Sequence, residues 1–236
     1  ACRYYIPDRL TEGYGLNKPA LLKLRDSGVS MVITVDSGIT AVEEIAYANE
    51  IGLKVVVTDH HECKDDLPDA VAVVNPKRTD STYPFKDLAG VGVGFKLVCA
   101  LEGSENLERV VTTYLDLVAV GTIADVMRLQ GENRVIVTYG LLLLQQTDNP
   151  GLRMLMREAG VETRRMTASV VSFTLAPRIN AAGRMGCADE AAQLFLTDSP
   201  SHAQEIAALL CCQNKQRQNA ENEILRQAYE VLQKEY

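Results

Sequence analysis

Nowhere in these 236 residues does an apolar stretch approach the roughly 20 residues that a membrane-spanning helix needs. The longest candidate, around Leu141-Leu142-Leu143-Leu144, runs straight into Gln145-Gln146. The N-terminus, Ala1-Cys2-Arg3-Tyr4-Tyr5-Ile6-Pro7, lacks the apolar core of a secretory signal and an initiator Met, so the sequence is expected to be a piece of something longer. Paired cysteines are missing too. The six, at positions 2, 63, 99, 187, 211 and 212, form no Cys-x-x-Cys, and the adjacent Cys211 and Cys212 are poorly placed to bridge each other. This argues against structural zinc and disulfides and predicts reduced thiols in the cytoplasm. Positive charge is not in excess: 24 Lys and Arg face 31 Asp and Glu, for a net charge of −7. A broadly basic nucleic-acid coat is disfavoured, although a local basic groove is not, and an acidic site for divalent cations would account for part of the imbalance. There is no internal repeat and no low-complexity segment. The run Gly90-x-Gly92-x-Gly94 lacks both a preceding strand and the Gly-Lys-Ser/Thr of a phosphate loop, so it reads as tight helix packing.

Histidine is scarce, and where it occurs is informative. Two of the three histidines are adjacent, in Asp59-His60-His61, directly after the apolar run Val55-Val56-Val57-Thr58. The pattern has an upstream echo: Met31-Val32-Ile33-Thr34-Val35 ends in Asp36-Ser37-Gly38. Between the two runs, Ala41, Val42, Ile45, Ala46, Ala48 and Ile51 recur at helical spacing, and Gly52 stops the helix. Strand, helix and strand with short connections make a βαβ unit with parallel strands, and uniformly apolar strands fit a sheet covered on both faces. Asp36 and Asp59 are then expected at the same carboxyl edge, where open α/β sheets bind ligands.

The remaining residues extend this frame. A turn-rich loop over 7–17 precedes a helix from Lys18 to about Ser27, with Pro19 in its first turn. A third strand, Ala70 to Val74, stops at Asn75-Pro76. Tyr114 to Val126 is strongly apolar, with Asp116 and Asp125 as its only charges. Arg134–Leu144 reads as a helix with a strand left open, and Leu152–Ala159 and Thr167–Phe173 as short helices. Leu175 to Arg184 reads as a loop whose Arg178 and Arg184, beside Asn180, suit a phosphate clamp. Ser201 to the end reads as a long helix whose middle, Gln213 to Glu223, is polar for a core helix and is expected to project toward a missing domain. His202 reads as solvated and without a role. The predicted fold is α/β: a mostly parallel sheet with helices on both faces, then a long C-terminal connecting helix.

With Asp36-Ser37-Gly38, Asp59-His60-His61 and Ala176-Pro177-Arg178-Ile179-Asn180-Ala181-Ala182-Gly183-Arg184 in place, the sequence resembles the DHH phosphoesterase superfamily, in particular its single-strand-specific exonucleases. Ala89-Gly90-Val91-Gly92-Val93 and Gly121-Thr122-Ile123-Ala124-Asp125-Val126 extend the likeness over essentially the whole chain. The resemblance implies metal-dependent hydrolysis of single-stranded DNA from the 5′ end, with Mn²⁺ or Mg²⁺ in a two-metal site. Asp36 would bridge the metals, His60 and Asp125 (in preference to Asp116) would complete one site, His61 would face the scissile phosphate and Asp59 would orient an imidazole. Arg178, Asn180 and Arg184 would hold the substrate. Two family features are missing from the sequence, an Asp-x-Asp after a first strand and a second domain. Residues 1–200 are therefore expected to be a truncated DHH domain, and residues 201–236 the start of a helix leading to the second. Other DHH chemistry, on short oligonucleotides or pyrophosphate, and a noncatalytic scaffold role remain alternatives at this point.

Overall fold

The structure is a computed structural model and describes residues 2–8 and 11–235. Residues 9 and 10 of the expected loop, residue 1, and residue 236 at the end of the expected long helix lie outside the described residues.

The first helix, α1 (Lys18–Asp26), starts where the Asn17 side chain accepts the Ala20 N–H and Pro19 occupies the first turn. It leads into the βαβ unit: β1 (Met31–Val35), α2 (Val42–Glu50) and β2 (Lys54–Thr58), followed by β3 (Ala72–Val74). The strands are parallel in the order β1-β2-β3, with Thr34 opposite Val57 and Thr58 opposite Val74. Alternation along β2 turns Val55 and Val57 to one face, where they pack with Leu21 of α1, Ile45 and Ala48 of α2, and Leu53. Burying side chains of this size stabilises the fold by about 1.5–3 kcal/mol each. On the opposite face, α3 (Gly90–Glu102) brings Gly94 against Val35, with only 3.4 Å between Val35 Cγ1 and the place a Gly94 Cβ would occupy. Helices thus approach both faces, as expected of an α/β sheet.

A second cluster, Leu88, Val93, Phe95, Val110, Leu115, Val118, Ala119 and Ile136, joins α3 to α4 (Leu107–Ala124) and α5 (Gly131–Leu144). Arg134–Leu144, for which a strand was left open, is helical within α5.

The described residues form two compact units, one within Ala1–Gln146 and Met166–Val171, the other within Thr147–Arg165 and Ser172–Tyr236. The second unit contains α6 (Pro150–Glu158), begun by the Asn149 cap on Leu152 N–H. After the short helical turn α7 (Ala168–Val170) and a wide turn over Val171–Leu175 come α8 (Ala176–Arg184), α9 (Ala188–Leu196) and α10 (Pro200–Glu235). Two expectations are corrected here. Residues 176–184 are a helix, because Pro177 stands in its first turn, where a missing N–H costs nothing, and Ala181 and Ala182 are buried good helix formers. In α10, Gln213 and Asn214 are buried; the fully exposed portion begins only near residue 218. Among the described residues no helix is long and apolar enough to cross a membrane.

Candidate metal centre

Strand geometry delivers the first two residues of the site. The Asp36 N–H donates to Thr58 O (3.0 Å) and the Asp59 N–H donates to Val74 O (3.0 Å), so each strand's hydrogen bonding carries on into the acidic residue that ends it. Both aspartates therefore stand at the carboxyl edge on neighbouring strands. Asp36 takes a left-handed backbone, φ 62°, which Asp tolerates better than most residues. That turn sends the chain into Ser37-Gly38, where Thr34 Oγ1 donates to Ser37 O at 2.7 Å.

Asp59 is the anchor of the site. It is 1 % exposed, and its Oδ2 accepts the Ile39 N–H at 2.9 Å, which ties the loop after β1 to the loop after β2. Oδ1 accepts the N–H groups of His60 (2.7 Å) and His61 (3.2 Å) and lies 2.7 Å from His61 Nδ1. Burial pushes the Asp59 carboxyl up, but the Ile39 N–H, the His61 ring and the two histidine N–H groups outweigh it, and its pKa falls below the ordinary value. Asp59 is thus an ionised carboxylate that orients the His61 imidazole. His61 itself is exposed and turns its Nε2 edge away from that anchor.

His60 is in the opposite situation. Its side chain is 7 % exposed, with Nε2 3.0 Å from Asp36 Oδ1 and 3.5 Å from Asp125 Oδ2. Nε2 thus faces both carboxylates and pairs with Asp36, while Nδ1 is buried without a partner among the described residues. A buried imidazole nitrogen facing two carboxylates is a donor set that fits a divalent cation. The adjacent Asp36 carboxylate raises the pKa of His60 against the effect of burial, with Asp125 and Asp59 adding to it. Asp125 is pushed up by its own burial and by repulsion from Asp36. A divalent cation would remove both the repulsion and the competing proton. Ligating atoms of Asp36, His60 and His61 lie within 4.8 Å of one another, so the residues present fit a metal ion.

Asp125 reaches this cluster from the end of α4. It is the residue that closes the helix, and the left-handed residue that follows it, the exposed Val126, has φ 57°. A β-branched residue in that conformation is strained. Asp116, two turns earlier, is buried within α4, accepts the Leu117 N–H and is not part of the cluster.

The expected substrate residues lie on α8. Asn180 and Arg184, four positions apart, share an exposed face. Arg178 does not join them: its Nη1 donates to Thr174 O (2.6 Å), while its Nε is buried without a partner. His202 is exposed, 3.6 Å from Glu205.

Two contributors were not singled out from the sequence. Asn75, read there only as a strand stop, is buried and donates from Nδ2 to His61 O at 2.9 Å, while its Oδ1 accepts the Lys77 N–H at 2.8 Å. Gly90 lies against Asp36, at a separation in sequence that local patterning does not reveal.

The chain is similar to proteins of one known family. A family model described as "DHH family, N-terminal domain" matches residues 1–122. The single-stranded-DNA-specific exonuclease RecJ of Bacillus subtilis is 45% identical over 232 residues, covering 98% of this chain and 29% of that protein. The RecJ of Thermus thermophilus is 40% identical, covering 94% of this chain and 32% of its own length. A crystal structure of exonuclease RecJ bound to manganese matches with a TM-score of 0.82 at 38% identity, over 94% of this chain and 56% of that one. The T. thermophilus RecJ structure in complex with Mn²⁺ matches with a TM-score of 0.75 at 36% identity, over 88% of this chain and 31% of that one. The chain thus spans roughly a third of the length of these two curated relatives.

Proposed function

Because the chain belongs to the DHH family, we propose that it carries the metal-binding part of a 5′-to-3′ exonuclease specific for single-stranded DNA. The observation that carries this reading is His60: a buried imidazole whose Nε2 lies 3.0 Å from Asp36 Oδ1 and 3.5 Å from Asp125 Oδ2. Asp36, His60 and Asp125 would hold Mn²⁺ or Mg²⁺, with Asp36 placed to serve a second ion. When bound, the metal supplies Lewis-acid activation of a water and neutralises charge on the phosphate. His61, held at Nδ1 by Asp59, offers its Nε2 to the phosphate side of the site. Its orientation is reinforced by Asn75 at its carbonyl. Asn180 and Arg184 would contact the DNA backbone from the exposed face of α8, with Arg178, held at the Thr174 carbonyl, bracing that helix for the substrate. The relatives are named for action on single-stranded DNA, and two solved RecJ structures hold Mn²⁺ and Mg²⁺. The six free thiols, unpaired and dispersed, suit a reducing compartment, and we place the protein in the cytoplasm.

For domain organisation, residues 1–200 are the DHH domain and 201–236 a helix connecting it onward. What supports this is the run of exposed residues along the second half of α10, including Ile224, Leu225 and Tyr229.

The test is degradation of 5′- and 3′-labelled single- and double-stranded DNA by the longer protein containing this chain, with Mn²⁺, Mg²⁺ or chelator. Loss of label from the 5′ end of the single strand only, abolished by chelator and by His60→Ala, is expected. Chelator-resistant cleavage, or equal activity on duplex, would overturn the proposal.

A further inference from the structure

We propose that Gly90 is a positioning residue of the metal centre: its missing side chain is the cradle that holds the Asp36 carboxylate against His60. The inference rests on the metal reading above and adds to it the device that fixes one ligand. A Cβ built on Gly90 would lie 2.2 Å from Asp36 Oδ1 and 2.5 Å from both Cβ and Cγ of Asp36. Because the Asp36 Cβ is included, rotating the carboxylate alone does not clear the contact. The backbone of Gly90 is not what demands glycine, for it is an ordinary helical residue in the first turn of α3 with no positive φ. Alanine would be the better helix former there. The other two glycines of the run behave differently. A Cβ on Gly92 would meet the Leu88 side chain at 3.3 Å, and one on Gly94 would meet Val35 at 3.4 Å, separations that small adjustments accommodate. Of the three, Gly90 alone is required by a proposed ligand.

Two further features support the cradle. Asp36 enters it from a left-handed backbone, φ 62°, a conformation that persists only where the surroundings impose it. The carboxylate also lies at the amino end of the 13-residue α3, which has no side-chain cap, so the helix's unsatisfied N–H end favours a negative group there. Metal ligation tolerates deviations of only about 0.2 Å in ligand distance. Clearing a 2.2 Å contact requires a larger movement of Asp36 than that. Gly90→Ala should therefore weaken metal binding roughly 10–100-fold, as other changes behind a ligand do.

The test has two readouts on the whole chain, neither of them catalytic. Free Mn²⁺ is titrated by its electron paramagnetic resonance signal against the parent, Gly90→Ala and Gly92→Ala. Loss of affinity in Gly90→Ala alone is expected; parent-like affinity in Gly90→Ala would overturn the cradle. A parent that takes up no Mn²⁺ would instead sink the metal reading, and the second readout then decides the cradle by itself. That readout is the metal-free melting temperature of Gly90→Ala made alone and in an Asp36→Gly background, where the obstructing Cβ is gone and glycine fits φ 62°. Gly90→Ala should raise the melting temperature in the Asp36→Gly background and lower it when Asp36 is present. The same change in both backgrounds, or failure to fold in both, would mean Gly90 serves something other than Asp36.

Discussion

Asp59 and His61, two positions apart, have unequal consequences for stability. Asp59 accepts three backbone N–H groups in a buried position, and each stranded donor costs about 1–3 kcal/mol. Asp59→Ala should thus lower unfolding free energy by about 3 kcal/mol or more in urea titrations. His61→Ala removes one bond from an exposed ring and leaves the three N–H donors on Asp59, so it should cost about 1 kcal/mol. If His61→Ala proves as costly as Asp59→Ala, the ring is a structural brace and its assignment to the phosphate is wrong. Asp36, Asp59, His60 and His61 were legible in the sequence because a strand-ending polar residue is a local signal. The role of Asp59 as anchor was only half legible. Its orientation of an imidazole was expected, whereas the bond from Ile39 N–H depends on how two loops meet. Gly90 was visible as one of three glycines, but its distinction from Gly92 lies in a contact with a residue on another element.

Among the elements, α8 shows why local signals mislead. Pro177 and Gly183 read as loop punctuation, yet proline in a first turn is compatible with a helix, and the buried Ala181 and Ala182 hold the segment in place. The correction separates the two arginines. Arg178 satisfies the Thr174 carbonyl, so Arg178→Ala should cost about 1–2 kcal/mol of stability as well as activity. Arg184 is exposed with no such bond, so Arg184→Ala should leave stability within about 0.5 kcal/mol. Its effect should fall on kcat/KM for single-stranded DNA. Thermal melts run beside the assay separate the two cases, and equal loss of stability would mean α8 is braced by both.

A second element-scale feature is the cluster joining α3, α5 and the loop before α3. Lys96 lies 2.5 Å from Glu132, which also accepts the Tyr83 hydroxyl at 2.7 Å. Burial pushes the Glu132 carboxyl up, but Lys96 and Tyr83 more than reverse this and hold its pKa below the ordinary carboxylate range. A depressed acid contributes stability above its unfolded pKa, about 4.3, and loses it as pH falls through the lower folded value. Glu132→Gln should therefore flatten the acid limb of the stability curve below about pH 4.3 and leave its shape near neutrality unchanged. Melting temperatures collected from pH 3 to 7 check this; an unaltered acid limb would show that the ion pair contributes nothing.

At the scale of the whole molecule, the parallel pairing of the strands, the carboxyl-edge location of both aspartates and the long final helix were readable from apolar runs and helical periodicity, whereas the strand order β1-β2-β3 was not. The division into two compact units was not, because Met166–Val171 returns to the first unit after an excursion into the second. No sequence window contains that information. Nor did polarity alone reveal that Gln213 and Asn214 are buried in α10; Asn214 accepts from Arg217 at 3.3 Å, whereas Gln213 Oε1 has no hydrogen-bond partner among the described residues.

What ties residue, element and molecule together is the proposed divalent-cation site between β1, β2 and the end of α4. Crystals of this chain soaked in MnCl₂ and measured at the manganese absorption edge test that claim most directly. An anomalous peak is expected about 2.0–2.5 Å from an Asp36 oxygen, His60 Nε2 and an Asp125 oxygen, and should be absent in His60→Ala crystals. No peak at saturating manganese, with His60 Nε2 hydrogen-bonded to protein instead, would contradict the metal centre.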